Sequence, residues 1–547
     1  MKKYARVSAL CFVGIIAGLP MLGQYHQERW NTIDVQHYRF EIDLNDSSDV
    51  ISCAAEVEIL FKAELRDFNL DLVGQADEGL GMHIDQITES GDKVSFRHKE
   101  NQLQLQGDGI REGETRKYRI EYHGIPADGL IISENMFGDR TFFGDNWPNR
   151  ARHWLPTVDH PSDKATVEFL VEAPAHYGIV SIGSLRSETW DGERITSHWE
   201  MNKPLSTKLM VIGLSPFEVE YLESKSGISV SSWVYPQNRD AGFSDYNVAI
   251  DPIDFFDNYI APYPWPKLAN VQSKTRYGGM ENASCIFYSE GSVNGKRNRE
   301  SLFAHEIAHQ WYGDAVSELD WHHIWISEGF ATYLTDLYIE NKYGREAFIA
   351  SMLDEKRQVL EFASIRLAPI VDTTLPVSIK LLNKNSYEKA GWVLHMLRHE
   401  LGDELFQCCV RTFYNDFKYD NALTGDFLQV VNYLSGHDFK AFFQQWFHTA
   451  GHPVLSAPWK YKKGEVRLTI KQNQEHHVFN FPLELRIELN DGTFIEQTLY
   501  ISKVSECFTI ASAAKPSRII LDPNTWLLFE EYHSPDGGSS SLPPSAE

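Results

Sequence analysis

The residues His305-Glu306-Ile307-Ala308-His309 constrain the fold of this chain more than any other stretch. They lie in a segment, Arg299 to Tyr312, whose apolar residues recur at three- and four-residue spacing, the period of an amphipathic helix. Two histidines four apart share one face of a helix, so both imidazoles can bind one ion. Glu306 is turned by about 100° from His305, beside such an ion rather than on it, where a general base for an attacking water belongs. A catalytic site needs a third protein ligand and an open fourth position. Glu328, 19 residues after His309, meets that need. It stands at the start of a second helical segment, within Trp325-Ile326-Ser327-Glu328-Gly329-Phe330-Ala331, where an unpaired carboxylate is costly. The expected centre is one zinc ion per chain on His305, His309 and Glu328. His322 and His323 are read as loop or supporting residues. A structural zinc site would want four ligands, usually with cysteine, and no cysteine lies near.

The rest of the chain must build the cleft around that helix. At roughly 100–200 residues per domain, 547 residues ask for three or four folding units. From about 24 to 222, runs such as His37 to Leu44, Glu56 to Ile59, Thr115 to Tyr122 and Ala165 to Val171 alternate with period two. Between 223 and 452 the period turns helical, in Arg299 to Tyr312, Ile326 to Tyr343, Tyr387 to Leu401 and Phe439 to Thr449. Gly313, Gly344 and Gly402 follow three of these where C-terminal caps sit. From 453 to 532 alternation returns, with Asn490-Asp491-Gly492 as a hairpin turn. The expected fold is multidomain α+β: an N-terminal antiparallel β domain, a mainly helical catalytic domain and a small C-terminal β-sandwich domain. Residues 533–547, rich in Ser, Pro and Gly, read as a disordered tail.

Both termini and the charge bear on where such a protein works. Lys2, Lys3 and Arg6 precede an apolar run from Ala9 to Leu22, the arrangement of a secretory signal peptide over residues 1–23. The run is shorter than the about 20 residues of a membrane span, so no transmembrane anchor is expected after cleavage, and the protein is read as exported, periplasmic or secreted. Five cysteines follow it, an odd, scattered set that is no disulfide framework. Against 51 Lys+Arg stand 76 Asp+Glu, a formal charge of -25 that disfavours nucleic acid as a partner.

H-E-x-x-H, 18 intervening residues and a ligand glutamate together resemble the gluzincin metallopeptidases. Gly278-Gly279-Met280-Glu281-Asn282, upstream of the zinc motif, is similar to the G-A-M-E-N signature of the aminopeptidase N family. The resemblance runs to about residue 532 and implies a thermolysin-like catalytic domain. It further implies that an extended peptide pairs with the strand-like Gly278-Gly279-Met280 segment. Glu281 then meets the free α-amino group and sets the first peptide bond over the metal. Asn385-Ser386-Tyr387-Glu388-Lys389-Ala390 is similar to the segment carrying the family's tyrosine, so Tyr387 is the implied donor to the oxyanion.

Several residues depart from the family pattern. Gly279 replaces the usual alanine, a change expected to be tolerated. Ser327 stands where asparagine usually precedes the ligand glutamate, and Trp311-Tyr312-Gly313-Asp314 differs from W-F-G-N at two positions. Leu155-Pro156-Thr157-Val158-Asp159-His160-Pro161 resembles a stretch shortly after a Gln or Glu that helps bind the amine. None stands there in this chain, and Asp145 or Asn146 is the implied substitute. Family members commonly end in a helical domain over the active site. This chain leaves little room for one, so a more open cleft, or one covered by a partner subunit, is expected.

The resulting expectation is a secreted zinc aminopeptidase, a hydrolase of the N-terminal bond of peptides. Two alternatives stand beside it. One is a bifunctional epoxide hydrolase/aminopeptidase, because the related leukotriene-epoxide hydrolases share the site. The other is a catalytically inactive peptide-binding protein, which would usually have lost a ligand, the base or the tyrosine; here all are present.

Overall fold

The computed structural model describes residues 29–76 and 78–532. The signal-peptide and tail readings, on residues 1–23 and 533–547, lie outside the described residues. Within them, no helix is long and apolar enough to cross a membrane.

The period-two runs of the first 200 residues become an eight-stranded sheet with Ile33–Asp43, Ile51–Phe61, Thr115–Ile125 and Lys164–Pro174 among its strands. Alternation buries one side of each: Tyr38, Phe40, Val57, Ile59, Tyr118 and Ile120 are all fully enclosed. The sheet is antiparallel apart from one neighbour pair, since Ile33–Asp43 lies parallel to Lys164–Pro174. A four-stranded sheet has Arg140–Gly144 and Ile212–Ser215 at its centre, and its Phe143 packs edge-on against Phe287 of the following region.

The helical region is built on a sheet that helical periodicity did not announce. Its order is Glu218–Glu223, Ser229–Val234, Leu268–Ser273, Cys285–Ser289 and Gly279–Met280. The first strand begins ahead of residue 223, because it forms an antiparallel hairpin with Ser229–Val234. Leu268–Ser273 is parallel to both of its neighbours and buried throughout, and its sequence, with Asn270, Gln272 and Ser273 among the enclosed residues, shows no alternation. Gly279–Met280 is the edge strand, paired on one side only with Cys285–Ser289.

The helix Glu300–Ala308 packs against the edge strand of this sheet, and Trp325–Tyr343 packs on that helix and on Arg345–Ile365 and Ala390–Leu401. The first ends earlier than its periodicity suggested. Tightened bonds from Gln310 N to Ile307 O and Trp311 N to Ala308 O turn the chain out of the helix, and Gly313 completes the turn at φ 125°. Tyr387 does not open a regular helix either. Asn385–Lys389 is a π-helical turn, with Lys389 N bonded to Lys384 O at 2.9 Å, that feeds into Ala390–Leu401. Past residue 453 the chain is again β, with Glu465–Gln472 at the centre of one sheet and Phe481–Leu489 at the centre of another. The hairpin between Phe481–Leu489 and Phe494–Ile501 turns at Asn490-Asp491-Gly492.

Candidate metal centre and active-site cleft

His305 sits in the last turn of the helix Glu300–Ala308, and His309 is its C-terminal cap residue. Their Nε2 atoms are 3.1 Å apart. Glu328, in the first turn of Trp325–Tyr343, brings Oε2 to 3.4 Å from His305 Nε2 and 3.2 Å from His309 Nε2. Two imidazole nitrogens and one carboxylate oxygen thus converge, each aimed at the same point. Among the described residues this is the group of three such side chains close enough to share an ion. His309 is 1% exposed and Glu328 5%, so an empty centre would bury these groups at considerable cost.

The donor set fits zinc. The far nitrogen of His309, Nδ1, faces Ser327 Oγ at 3.0 Å and Tyr312 O at 3.2 Å, which fixes its proton there and leaves Nε2 to accept. Burial lowers the pKa of His305. Burial also opposes a charge on His309, but Glu328 outweighs it and raises that imidazole to about 10. Glu328, despite its burial, is held below the usual carboxylate range by His309 and His305. The pocket therefore calls for one positive charge at the point where the three side chains meet.

Around this centre stand the other residues singled out from sequence. Glu306 is 5% exposed, and burial, with Glu281 and Glu328 adding to it, pushes its carboxyl well above the ordinary value. Gly279 lies directly against it: a Cβ added there would stand 2.4 Å from the Glu306 carboxylate. Alanine at 279 is thus not neutral in this chain, because it would oblige Glu306 to swing away. Met280 is buried, while Gly278 is exposed beside the edge strand. Glu281 follows that strand, 6% exposed, and its carboxylate has no hydrogen-bond or ion-pair partner among the described residues. Its carbonyl oxygen accepts from Gln310 Nε2 at 2.8 Å, which fastens the strand to the turn after the metal-motif helix. The ring of Tyr387 stacks on His305 with centroids 5.9 Å apart, near the Glu328 carboxylate. Burial and that carboxylate push the phenol well above its ordinary value, so it keeps a proton to donate.

Asp145 and Asn146 do not offer a free acceptor. Asp145 is fully buried, ion-paired with Arg150, and faces the Arg276 backbone N–H. Asn146 donates to Thr207 O and Met210 O and accepts from Trp154 Nε1 at 2.9 Å. Both have their polar atoms committed to other protein groups. His322 and His323 are likewise engaged elsewhere, with Asp320 and Thr424. Ser327, noted from sequence only as a departure from the family pattern, supports His309, and Lys208, which sequence reading passed over, pairs with Glu318 from the N-terminal β region. A buried lysine more than a hundred positions from its partner leaves no periodic or local mark in a sequence.

Comparison with known proteins agrees with this geometry. The Peptidase M1 N-terminal domain matches residues 34–209, and the Peptidase family M1 domain matches residues 244–446. "Probable aminopeptidase 2" of Sulfurisphaera tokodaii is 25% identical over 468 residues, covering 81% of this chain and 58% of that protein. Aminopeptidase M1-C of Oryza sativa is 28% identical over 324 residues, 57% of this chain and 37% of the relative. Glutamyl aminopeptidase of Rattus norvegicus is 27% identical over 342 residues, with 60% and 36% covered. The chain thus matches 58% or less of the length of these relatives. Two domain descriptions of one family match successive parts of one chain: the chain belongs to peptidase family M1.

Proposed function

We propose that the chain is a zinc-dependent aminopeptidase that removes the N-terminal residue of peptides by hydrolysis. The observation that carries this reading is Glu281, a nearly buried carboxylate with no protein partner among the described residues, one residue beyond an edge strand that lies against Glu306. Held by His305, His309 and Glu328, a zinc ion supplies Lewis acidity to the reacting water and carbonyl.

The chain's own residues do the rest. An extended substrate adds to the open side of Gly279–Met280, where small side chains let the two backbones approach. Its α-ammonium takes up the free carboxylate of Glu281 in a charge-assisted bond that fixes the register. Glu306, beside the metal ligands and against the edge strand, accepts a proton from the water and returns it to the leaving amine. Tyr387 donates its phenolic hydrogen to the developing oxyanion. The finer layout belongs to the same reading: a thermolysin-like catalytic unit between an N-terminal β domain and a C-terminal β-sandwich.

The test is cleavage of aminoacyl amides, free and N-acetylated, with and without a chelator. Chelator-sensitive cleavage of the free series alone is expected. Acetyl-tolerant or chelator-insensitive turnover would sink the reading.

A further inference from the structure

We infer that Gln310 is a positioning residue: its side-chain amide, one residue past the ligand His309, locks the turn 281–284 to the metal-motif helix and so fixes where a substrate's amino group is held relative to the reacting bond. This role rests on the aminopeptidase reading of Glu281 and belongs to a residue that the mechanism above does not use.

Glu281 lies just past the last paired residue of the edge strand Gly279–Met280, so strand pairing does not by itself hold it. The neighbouring Asn282 gives no anchor through its side chain. It is fully buried, and neither its Oδ1 nor its Nδ2 has a hydrogen-bond partner among the described residues. Gln310, also fully buried, supplies the tie at both ends of the turn. Its Nε2 donates to Glu281 O at 2.8 Å, and its Oε1 accepts from Ser284 N at 2.7 Å. One of these partners can only accept and the other only donate, so the orientation of the amide is fixed. Its remaining capacity is used as well: Nε2 donates to Asp314 Oδ2 at 2.9 Å, and Oε1 accepts from the Tyr263 hydroxyl at 3.2 Å. A carboxylate cannot donate to Glu281 O, and an apolar side chain satisfies neither end of the turn.

The turn needs such a tie. Ser284 sits at φ 64°, in the left-handed region that a residue with a side chain rarely adopts. A conformation of this kind persists only where its surroundings over-determine it. Besides the bond to Gln310, Ser284 Oγ accepts from Gly183 N at 2.8 Å, and Ser284 O accepts from Ala269 N and from Lys267 Nζ, both at 2.9 Å. The main chain of Gln310 is pinned too: its N–H donates to Ile307 O at 3.1 Å, and its carbonyl accepts from Trp265 Nε1 at 3.1 Å.

The path from the metal centre to the amine anchor is therefore short and rigid. It runs from His309 through one peptide link to Gln310, and through one hydrogen bond to the main chain of Glu281. The bond to be cleaved is the first after the amine, so this spacing decides whether that bond lies over the metal. A misplacement of about 1 Å can cost on the order of 10² in rate.

The test measures binding rather than turnover, by calorimetry on the zinc-loaded full chain, with alanine hydroxamate and with propionohydroxamate, which lacks only the amino group. Wild type should prefer the amine. Gln310→Met should lose about tenfold of that preference, all of it on alanine hydroxamate, the lower part of what such a misplacement costs. Its affinities for propionohydroxamate and for zinc, the latter read by chelator competition, should stay near those of wild type. In Glu281→Ala the preference should already be gone, and adding Gln310→Met should change it by no more than about twofold. A structural role would weaken both hydroxamates alike, lower zinc affinity, or add its full loss to that of Glu281→Ala. Each of these overturns the inference and leaves the aminopeptidase reading standing. If Gln310→Met does not fold, Gln310→Glu carries the test, because it keeps the size and the acceptor for Ser284 N but not the donor to Glu281 O. The same selective loss is expected there; an unchanged preference, or failure of both variants to fold, overturns the inference. A wild type that binds the two hydroxamates equally overturns the aminopeptidase reading and this role with it.

Discussion

Ser327→Ala is the substitution that most directly probes how the fold prepares its metal ligands. The Ser327 hydroxyl is fully buried and lies 3.0 Å from His309 Nδ1. Deleting it removes one of the two groups that fix the ring. The other, Tyr312 O at 3.2 Å, remains as an acceptor for the same N–H. Loss of such an outer partner typically costs about 10–100-fold in metal affinity, and the surviving carbonyl places this variant at the lower end. About tenfold weaker zinc binding is therefore expected, or about 1.4 kcal/mol. The assay is competition between metal-free protein and a chromophoric chelator, beside melting curves with and without zinc. Apo stability should be nearly unchanged, while the zinc-induced rise in Tm shrinks. Gly313→Ala should do more harm, because a Cβ there would stand 2.4 Å from Ser327 Oγ and 2.9 Å from His309 Nδ1. Zinc affinity within about twofold of wild type in Ser327→Ala would refute the positioning role. So would an apo form that loses as much Tm as the zinc form.

The catalytic assignments predict separable defects. Glu306→Gln should keep zinc, read by metal content, and lose about 10²–10⁴ in kcat; ordinary turnover would remove Glu306 as the base. Glu281→Ala should weaken the preference for free over N-acetylated amino termini, with zinc content unchanged. Tyr387→Phe should lower kcat by about 10²–10³ with little change in KM, the mark of a donor that acts only in the transition state. A pH-dependent effect on stability is expected at Asp163, in the N-terminal β region. Its carboxyl accepts from Val35 N at 3.2 Å, its other oxygen is buried without a partner, and burial pushes its pKa from 3.8 up to about 7. The folded chain thus binds this proton more tightly than the unfolded chain does. The associated stability is full below about pH 4 and is lost as pH rises through 7. Denaturant melts of Asp163→Asn should gain about 2–3 kcal/mol on wild type between pH 5 and pH 8; parallel pH profiles would show that the group is not perturbed.

What sequence could reveal follows from how local each signal is. His305, Glu306 and His309 are legible because one helix turn sets their geometry, and Glu328 because an apolar helix start makes a lone carboxylate costly. The alternating runs of the N-terminal region are legible because one face of each strand is buried. The sheet beneath the metal motif was missed, since Leu268–Ser273 is enclosed on both faces and shows no alternation. Asp145 and Asn146 were misjudged for a related reason. Their sequence neighbourhood resembles an amine-binding stretch, but only the tertiary structure shows Arg150, Trp154 and the turn at Thr207–Leu209 already using their polar atoms. Gly279 looked interchangeable with alanine until Glu306 was seen to lie on it.

On the proposed reading, the edge strand accounts for removal of single residues rather than cleavage within a chain. An endopeptidase needs an edge that lets substrate run past the metal in both directions. Here the paired part of the edge is only Gly279–Met280, and the chain beyond it presents a carboxylate that no protein group satisfies among the described residues. A substrate strand that continued past Glu281 would bury that charge against a neutral peptide group, a desolvation cost of several kcal/mol. A strand that ends there with an ammonium neutralises it. Selection for a free amino terminus thus needs no lid or steric wall in this geometry. It follows from one unpaired charge next to the end of a two-residue edge. The same argument makes Glu281→Gln more informative than Glu281→Ala, because a neutral amide of equal size should raise the relative rate on acetylated substrates while leaving the edge strand in place. If acetylated substrates gain nothing in that variant, exclusion is steric and the charge argument fails.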